Sequence, residues 1–339
     1  MGSINGAGEY EFTPLTNGMD YLKSAIDFLQ ESSKPSALKY AVLHLHAAAE
    51  ILLKVRLMRE HWSLVFKDVG TASKSALTHG DFKSVGMEET ISRLNSLASV
   101  EVSEPTREHL KRLSKERNKL QHFGAKMNRH QVGVIAGRAL DTLLAFVVDH
   151  LIPGASEPEL PMLGEVKDLL QQALDEIEVL GKARRDRLKG QLRAFADEVI
   201  GCPQCAEMAF RFNQQDFRCY FCEHVADSEA PEDLAADYVG NVLYISEYEV
   251  AHDGAEIPIS DCPNCDSYAS MVWGVTFLAE PQKQMYACFS CGKSYRHDEI
   301  DGCTMCADGL YFRTPIDQIE EEGEISLCSS CWGYVLSRD

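Results

Sequence analysis

The chain has 339 residues, a length that suits two or three domains with their own hydrophobic cores. Its content of 45% apolar and 25% charged residues excludes a disordered chain. The most apolar segment, residues 143–152, is interrupted by Asp149 before it reaches the length of a membrane span, so no membrane contact is expected.

The formal charge of −19 is unevenly distributed along the chain. Residues 1–150 hold 19 basic and 17 acidic side chains, whereas residues 202–339 hold 7 and 25. An acidic surface repels phosphate backbones, so contact with nucleic acid is expected only in the first half. The N-terminus has neither the basic start nor the apolar run of a secretory signal, so a cytoplasmic location is expected.

The fold class that the sequence predicts is mainly α, with an N-terminal helical bundle over residues 13–152. Apolar residues recur at steps of three and four, and the cap signals favour helices at about 20–30, 33–60, 88–97, 106–122 and 128–152. Asn128 is the expected cap of the last helix. Five helices with short connections form a bundle.

A proline-rich stretch, residues 153–161, predicts a linker to a helical hairpin that covers residues 161–201. Apolar residues from Leu163 to Leu180 predict its first helix, those from Leu188 to Val199 its second, and Gly181 is the expected break. Such a hairpin either packs on its own bundle, which we favour, or pairs with a second copy as a short coiled coil.

All twelve cysteines lie beyond residue 201, in six C-x-x-C pairs. In a reducing compartment such pairs are metal ligands rather than disulfides, and two pairs give the four thiolates of a tetrahedral zinc site. Pairing neighbours along the chain predicts three structural zinc ions, in small β ribbons at 202–225, 260–295 and 300–335. The ligands are Cys202, Cys205, Cys219 and Cys222; Cys262, Cys265, Cys288 and Cys291; and Cys303, Cys306, Cys328 and Cys331.

One alternative partition of the cysteines places Cys288 and Cys291 with Cys303 and Cys306. The three histidines near the pairs, His224, His252 and His297, are not expected to be ligands. These modules resemble zinc ribbons in cysteine spacing, which implies binding or scaffolding. Because they are acidic, a protein partner or the chain's own basic surface is expected to contact them.

Residues 107–138 form the strongest basic stretch, with nine basic and two acidic side chains. Charge alone is compatible with a solvated helix face. Within it lies Arg117-Asn118-Lys-Leu-Gln-His122, and here the sequence resembles the HEPN superfamily, whose nuclease members carry an arginine, a polar residue and a histidine in this order. The resemblance covers residues 15–152 and implies that Arg117, Asn118 and His122 are catalytic.

Metal-independent RNA cleavage needs a base, an acid and a cation on the phosphate, and histidine and arginine supply these groups. On a straight helix Arg117 and His122 differ by about 140° in direction and about 7.5 Å in height. They therefore meet only if the helix ends near His122 or if two copies pool their residues. The family resemblance implies the second arrangement, a composite site in a homodimer.

Four lysines on or after this helix are expected to bind the RNA backbone rather than to do chemistry: Lys111, Lys115, Lys119 and Lys126. The sequence therefore predicts a HEPN-type endoribonuclease, a candidate toxin or antiviral defence effector, with the ribbons as regulatory or partner-binding modules. The alternative is a non-catalytic scaffold, in which the bundle dimerises and the ribbons bind proteins.

Overall fold

The computed structural model describes residues 3–4, 10–31, 34–122, 128–213, 216–227, 229–245, 257–302, 310–312, 331 and 334. The chain divides into two compact units, Met1–Asp186 and Arg187–Asp339. About 58% of the chain is helical, and the small antiparallel sheets of the second unit follow the helices, so the fold is mainly α as predicted.

Most of the first unit is a helical bundle around one apolar core. Its helices are α1 (Pro14–Gln30), α2 (Pro35–Glu60), α3 (Lys74–His79), α4 (Met87–Leu97), α5 (Glu104–His122) and α6 (Arg129–Phe146). The chain continues from α6 as a π-helical turn, Val147–Leu151. The sequence analysis missed the short helix α3. Each of the other helices overlaps a predicted segment, and the observed and predicted bounds differ mainly at the helix ends.

The long helix α2 lies at the centre of the bundle and packs against α1, α4, α5 and α6. Its contacts with α1 run from Gly18 beside Leu52 to Phe28 beside Tyr40, so the two helices are antiparallel. A Cβ atom at Gly18 would lie 2.7 Å from Leu52 Cδ2, so a larger residue at this position would require the Leu52 side chain to move.

Two further helices, α7 (Leu160–Glu176) and α8 (Glu178–Arg193), lie in the segment predicted as a helical hairpin, but the break between them is at another residue. The apolar stripe of α7 joins the bundle core, the arrangement we favoured. The break is at Ile177 rather than Gly181, because Ile177 leaves helical geometry with φ −116° and ψ 90° while its side chain enters the core. The predicted end at Val199 is also wrong, since Val199 begins a strand.

The close approach of α8 to α6 is explained by one small residue and one ion pair. A side chain at Gly137 would lie 2.9 Å from the carbonyl oxygen of Val179. One turn further along α6, Asp141 accepts a hydrogen bond from the buried guanidinium of Arg184 at 3.3 Å. The guanidinium is 0% exposed, so this is a fully desolvated ion pair.

In the second unit two small sheets carry the cysteine pairs. The first has three antiparallel strands, β3 (Val199–Gly201), β4 (Met208–Asn213) and β5 (Asp216–Cys219). The second has four, β6 (Ile259–Ser260), β7 (Met271–Phe277), β8 (Glu280–Cys288) and β9 (Ser294–Tyr295). The second unit also holds a short helix, α9 (Pro231–Asn241), with Glu232 and Asp233 in its first turn.

Two additional two-stranded sheets are formed by short strands. At the N-terminus β1 (Ser3–Ile4) pairs with β2 (Tyr10–Glu11), and near the C-terminus β10 (Ile300–Gly302) pairs with β11 (Leu310–Phe312). Ile300 is buried in the same cluster as Cys262 and Cys288, so β10 adjoins the second cysteine sheet.

One helix among the described residues, Arg129–Leu151, is long and apolar enough to cross a membrane. Its most apolar window is 61% buried within the protein. The buried side chains, among them Leu140 and Leu144, belong to the bundle core. Its apolar character is therefore explained by packing.

Candidate metal centres and nuclease motif

The first cysteine group is the predicted one: Cys202, Cys205, Cys219 and Cys222. Cys202 follows β3 directly and Cys219 ends β5, so pairing of the strands brings the two C-x-x-C turns together. The sulfur atoms of Cys202 and Cys222 are 3.8 Å apart, and those of Cys205 and Cys219 are 3.9 Å apart. Three of the four side chains are buried.

The second group is also the predicted one: Cys262, Cys265, Cys288 and Cys291. Its sulfur atoms are 4.0 Å apart between Cys262 and Cys291 and 3.8 Å apart between Cys265 and Cys288. This arrangement excludes the alternative pairing of Cys288 and Cys291 with the pair at Cys303. The group is more open than the first, because Cys265 is exposed.

All four described C-x-x-C turns share one backbone design. In each, the amide of the residue after the second cysteine donates to the carbonyl of the first cysteine, at 2.8 to 3.0 Å. That residue has a positive φ of 55° to 66°, at Ala206, Glu223, Asp266 and Gly292. Amide groups also point at sulfur, as from Gln204 to Cys202 at 3.3 Å and from Cys291 to Cys288 at 3.4 Å.

This geometry fits a tetrahedral metal ion with four thiolate ligands. Zinc–sulfur bonds of about 2.3 Å place tetrahedral sulfur atoms about 3.8 Å apart, close to the separations observed. Amide hydrogens that point at sulfur stabilise the thiolate form. The two groups can therefore each hold a metal ion, and the donor set is compatible with zinc.

The pKa values of several of these cysteine thiols are raised, which indicates how a bound cation would change their protonation. Burial raises the pKa of Cys219 and of Cys262, and burial together with the nearby Cys288 raises the pKa of Cys291 to about 11. Desolvated thiols packed this closely do not ionise together unless a positive charge compensates them. Metal binding must therefore release protons, and it weakens as the pH falls.

The third predicted group lies largely outside the described residues, which include only Cys331 of its four cysteines. Of the three nearby histidines, His224 and His297 are absent from the two described metal-binding groups, and His252 is outside the described residues. His224 contributes its carbonyl oxygen, which accepts from the amide of Cys219 at 2.8 Å.

The three residues of the predicted nuclease motif lie on the last two turns of α5. Arg117 is half-buried, and it donates through Nη1 to the side-chain oxygen of Asn118 at 2.9 Å. His122 is exposed and is the last residue of the helix. The acidic side chain nearest in sequence, Glu116, is paired with Lys119 at 2.6 Å.

Within one chain α5 keeps the two key residues on different faces. Both residues are helical, so the rotation of about 140° between them applies. Arg117 lies on the α2 side, where its charge contributes to lowering the pKa of His46 after burial, the larger cause. His46 is also 3.9 Å from Glu50 and is buried, as expected for a core histidine.

The predicted RNA-binding lysines that the structure describes are exposed on α5: Lys111, Lys115 and Lys119. Lys111 and Lys115 make no ion pair with the described residues, whereas Lys119 contacts Glu116. Lys126 lies outside the described residues.

Sequence reasoning found the cysteines and the motif but missed the turn residues that follow each second cysteine. Three of the four have side chains, Ala206, Glu223 and Asp266, so no glycine signal marks them. A scan of protein-family models, a search of curated proteins and a search of solved structures found no match to this chain.

Proposed function

We propose that this chain is a metal-independent endoribonuclease of HEPN type, a homodimer with structural zinc ribbons that act as regulatory or partner-binding modules. The observation that supports the proposal best is the end of α5. There an arginine that is hydrogen-bonded to an asparagine and an exposed histidine lie on the same helix as three exposed lysines. A toxin or defence role in the cytoplasm agrees with such an activity.

In this proposal each motif residue has a separate chemical task. The guanidinium of Arg117 forks onto two phosphate oxygens and stabilises the charge that develops as the phosphate becomes crowded. The imidazole of His122 takes the proton of the ribose 2′-hydroxyl, or gives one to the departing 5′-oxygen. Asn118 holds the guanidinium in place through the bond at 2.9 Å.

Two copies of the chain supply the second histidine and the second arginine. Because one helix separates Arg117 and His122 by about 140°, the proposal places the scissile phosphate between two α5 helices. One histidine then acts as the base and the other as the acid, and the products carry 2′,3′-cyclic phosphate and 5′-hydroxyl ends.

Zinc has no task in this chemistry. The two described cysteine groups already provide four ligands each, so no coordination position remains open for water. We propose that the remaining cysteines complete a third site, which makes three structural zinc ions per chain. The acidic ribbons are the proposed contact for a protein partner.

The test is cleavage of a labelled RNA in the presence of EDTA, with Arg117→Ala, His122→Ala and the control His79→Ala. His79 is an exposed histidine on α3, outside the motif. We expect EDTA-resistant cleavage that disappears in the two motif variants, persists in the control and leaves cyclic phosphate ends. Absence of any cleavage by the intact protein would favour the scaffold function instead.

The composite site has its own test in mixed dimers. A heterodimer of Arg117→Ala and His122→Ala chains retains one arginine and one histidine, whereas each variant homodimer lacks one of the two residue types. The mixed dimer keeps one of the two proton-transfer groups and one of the two cations, so we expect activity above that of either variant homodimer but well below that of the intact protein. If mixing restores nothing although mass spectrometry detects the heterodimer, a site pooled between two chains is wrong.

A further inference from the structure

Helices α5 and α6 enclose a cleft of about 410 Å³ that the nuclease motif does not use. Its walls are two residues of α5, His109 and Arg112, and five residues of α6 between His130 and Arg138. The volume is in the range of small-molecule sites. Arg117, Asn118 and His122 do not line it.

The charge of the cleft is positive. Of the described residues, two arginines and two histidines line it, and no acidic one does. The closest acidic neighbour on α5, Glu108, accepts from Nε of Arg112 at 3.0 Å, which leaves the two terminal nitrogens of Arg112 without a partner among the described residues. Those nitrogens form the fork that binds phosphate and carboxylate groups.

Arg138 is the more informative of the two arginines. It is half-buried, yet it makes no hydrogen bond or ion pair with the described residues. A partly desolvated guanidinium without a counterion is unfavourable, and an anion in the cleft would compensate it. Its charge also contributes, after burial and ahead of Arg112, to a lowered pKa of His109.

His109 and the beginning of α6 complete the polar wall. Nδ1 of His109 is 3.2 Å from the hydroxyl of Thr142, which orients the ring and leaves Nε2 for a ligand. His130 and Gln131 lie in the first turn of α6, whose amide groups favour a negative charge. Val134 and Ile135 also line the cleft and form an apolar wall.

We propose that this cleft binds a phosphate monoester, with the dianionic phosphate between Arg112 and Arg138 and the organic group against Val134 and Ile135. A monoester carries nearly two negative charges at neutral pH, whereas a diester carries one. The guanidinium of Arg138, which has no ion pair with the described residues, and the two terminal nitrogens of Arg112 therefore favour the monoester. The inference does not depend on RNA cleavage, because it uses none of the motif residues.

The experiment is calorimetric titration of the full, zinc-loaded chain with phenyl phosphate, a monoester with an apolar ring, and with methyl phenyl phosphate, the matching diester. We expect the monoester to bind at least tenfold more tightly. Arg138→Gln and Arg112→Gln should each weaken its binding about tenfold or more, because each removes charge-assisted hydrogen bonds. Lys67→Gln, an exposed cation outside the cleft, should change it less than twofold.

Two results would overturn the inference: no binding of phenyl phosphate, or binding that Arg112→Gln and Arg138→Gln leave unchanged. Arg112 is exposed, so its variant tests the site even if the Arg138 variant does not fold. Competition by an RNA with a 5′-phosphate but not by one with a 5′-hydroxyl would identify a strand end as the source of the monoester. If that RNA does not compete, a free small molecule is the source of the monoester. In either case the inference that the cleft binds a phosphate monoester stands.

Discussion

The buried ion pair between Arg184 and Asp141 makes a sharp prediction about the stability of the first unit. Both side chains are almost fully excluded from water, at 0% and 3% exposure, and Arg184 Nη1 is 3.3 Å from Asp141 Oδ1. Replacing Arg184 with Met removes this cation from the buried carboxylate of Asp141. Breaking a buried pair in this way costs about 3 to 5 kcal/mol.

The size of the unit converts this free energy into a melting temperature. For a domain of about 150 to 250 residues, 1 kcal/mol corresponds to about 2 to 4 °C, so Arg184→Met should lower the transition by about 6 to 20 °C. Circular dichroism at 222 nm follows this transition, because the first unit holds most of the helices. Lys182→Met, an exposed residue on the same helix, is the matched control.

A double variant distinguishes the effect of breaking the ion pair from the effect of losing side-chain packing. Replacing both partners, in Asp141→Leu with Arg184→Met, removes the buried carboxylate as well as the guanidinium, so most of the lost stability should return. The reasoning fails if Arg184→Met is no less stable than Lys182→Met, or if the double variant is as unstable as the sum of the two single variants.

Three further predictions follow from other contacts. Cys219→Ser should remove one zinc per chain, measured by atomic emission, whereas Ser270→Ala, beside the second group, should keep the full zinc content. Acidification should release zinc from the intact protein, because protons compete for thiols whose pKa is raised in the metal-free fold; a zinc content constant from pH 7.5 to pH 4.5 would contradict this. His46→Gln should make the melting temperature less sensitive to acid: burial lowers the pKa of His46, so the unfolded chain takes up the proton first, and stability is lost as the pH falls below about 6.5. An unchanged slope between pH 7 and pH 5 would show that His46 contributes nothing.

Local signals in the sequence predicted much of the first unit. Asn128 was the expected cap of the last bundle helix, and its side chain accepts from the amide of Gln131 at 3.1 Å. The break of the following hairpin could not be found in the same way. Gly181 carries the turn signal, but the buried side chain of Ile177 decides where the chain turns, and burial depends on the whole bundle.

The metal groups were predictable because C-x-x-C spacing is a local property, and short strands joined by tight turns bring consecutive pairs together. The cleft between α5 and α6 was not predictable in this way. Arg112 and Arg138 were recognised only as part of a basic stretch, since 26 positions separate them and only helix packing makes them neighbours. For the proposed nuclease motif, the position at the end of a helix could be predicted from the sequence. The pairing of two chains at this motif remains a prediction.

The left-handed residue after each second cysteine has a consequence for how these ribbons tolerate change. At Ala206, Glu223 and Asp266 a side chain occupies a conformation that glycine adopts more easily. This turn position therefore accepts side chains of different charge and size, next to each candidate metal group, while the four cysteine ligands stay the same.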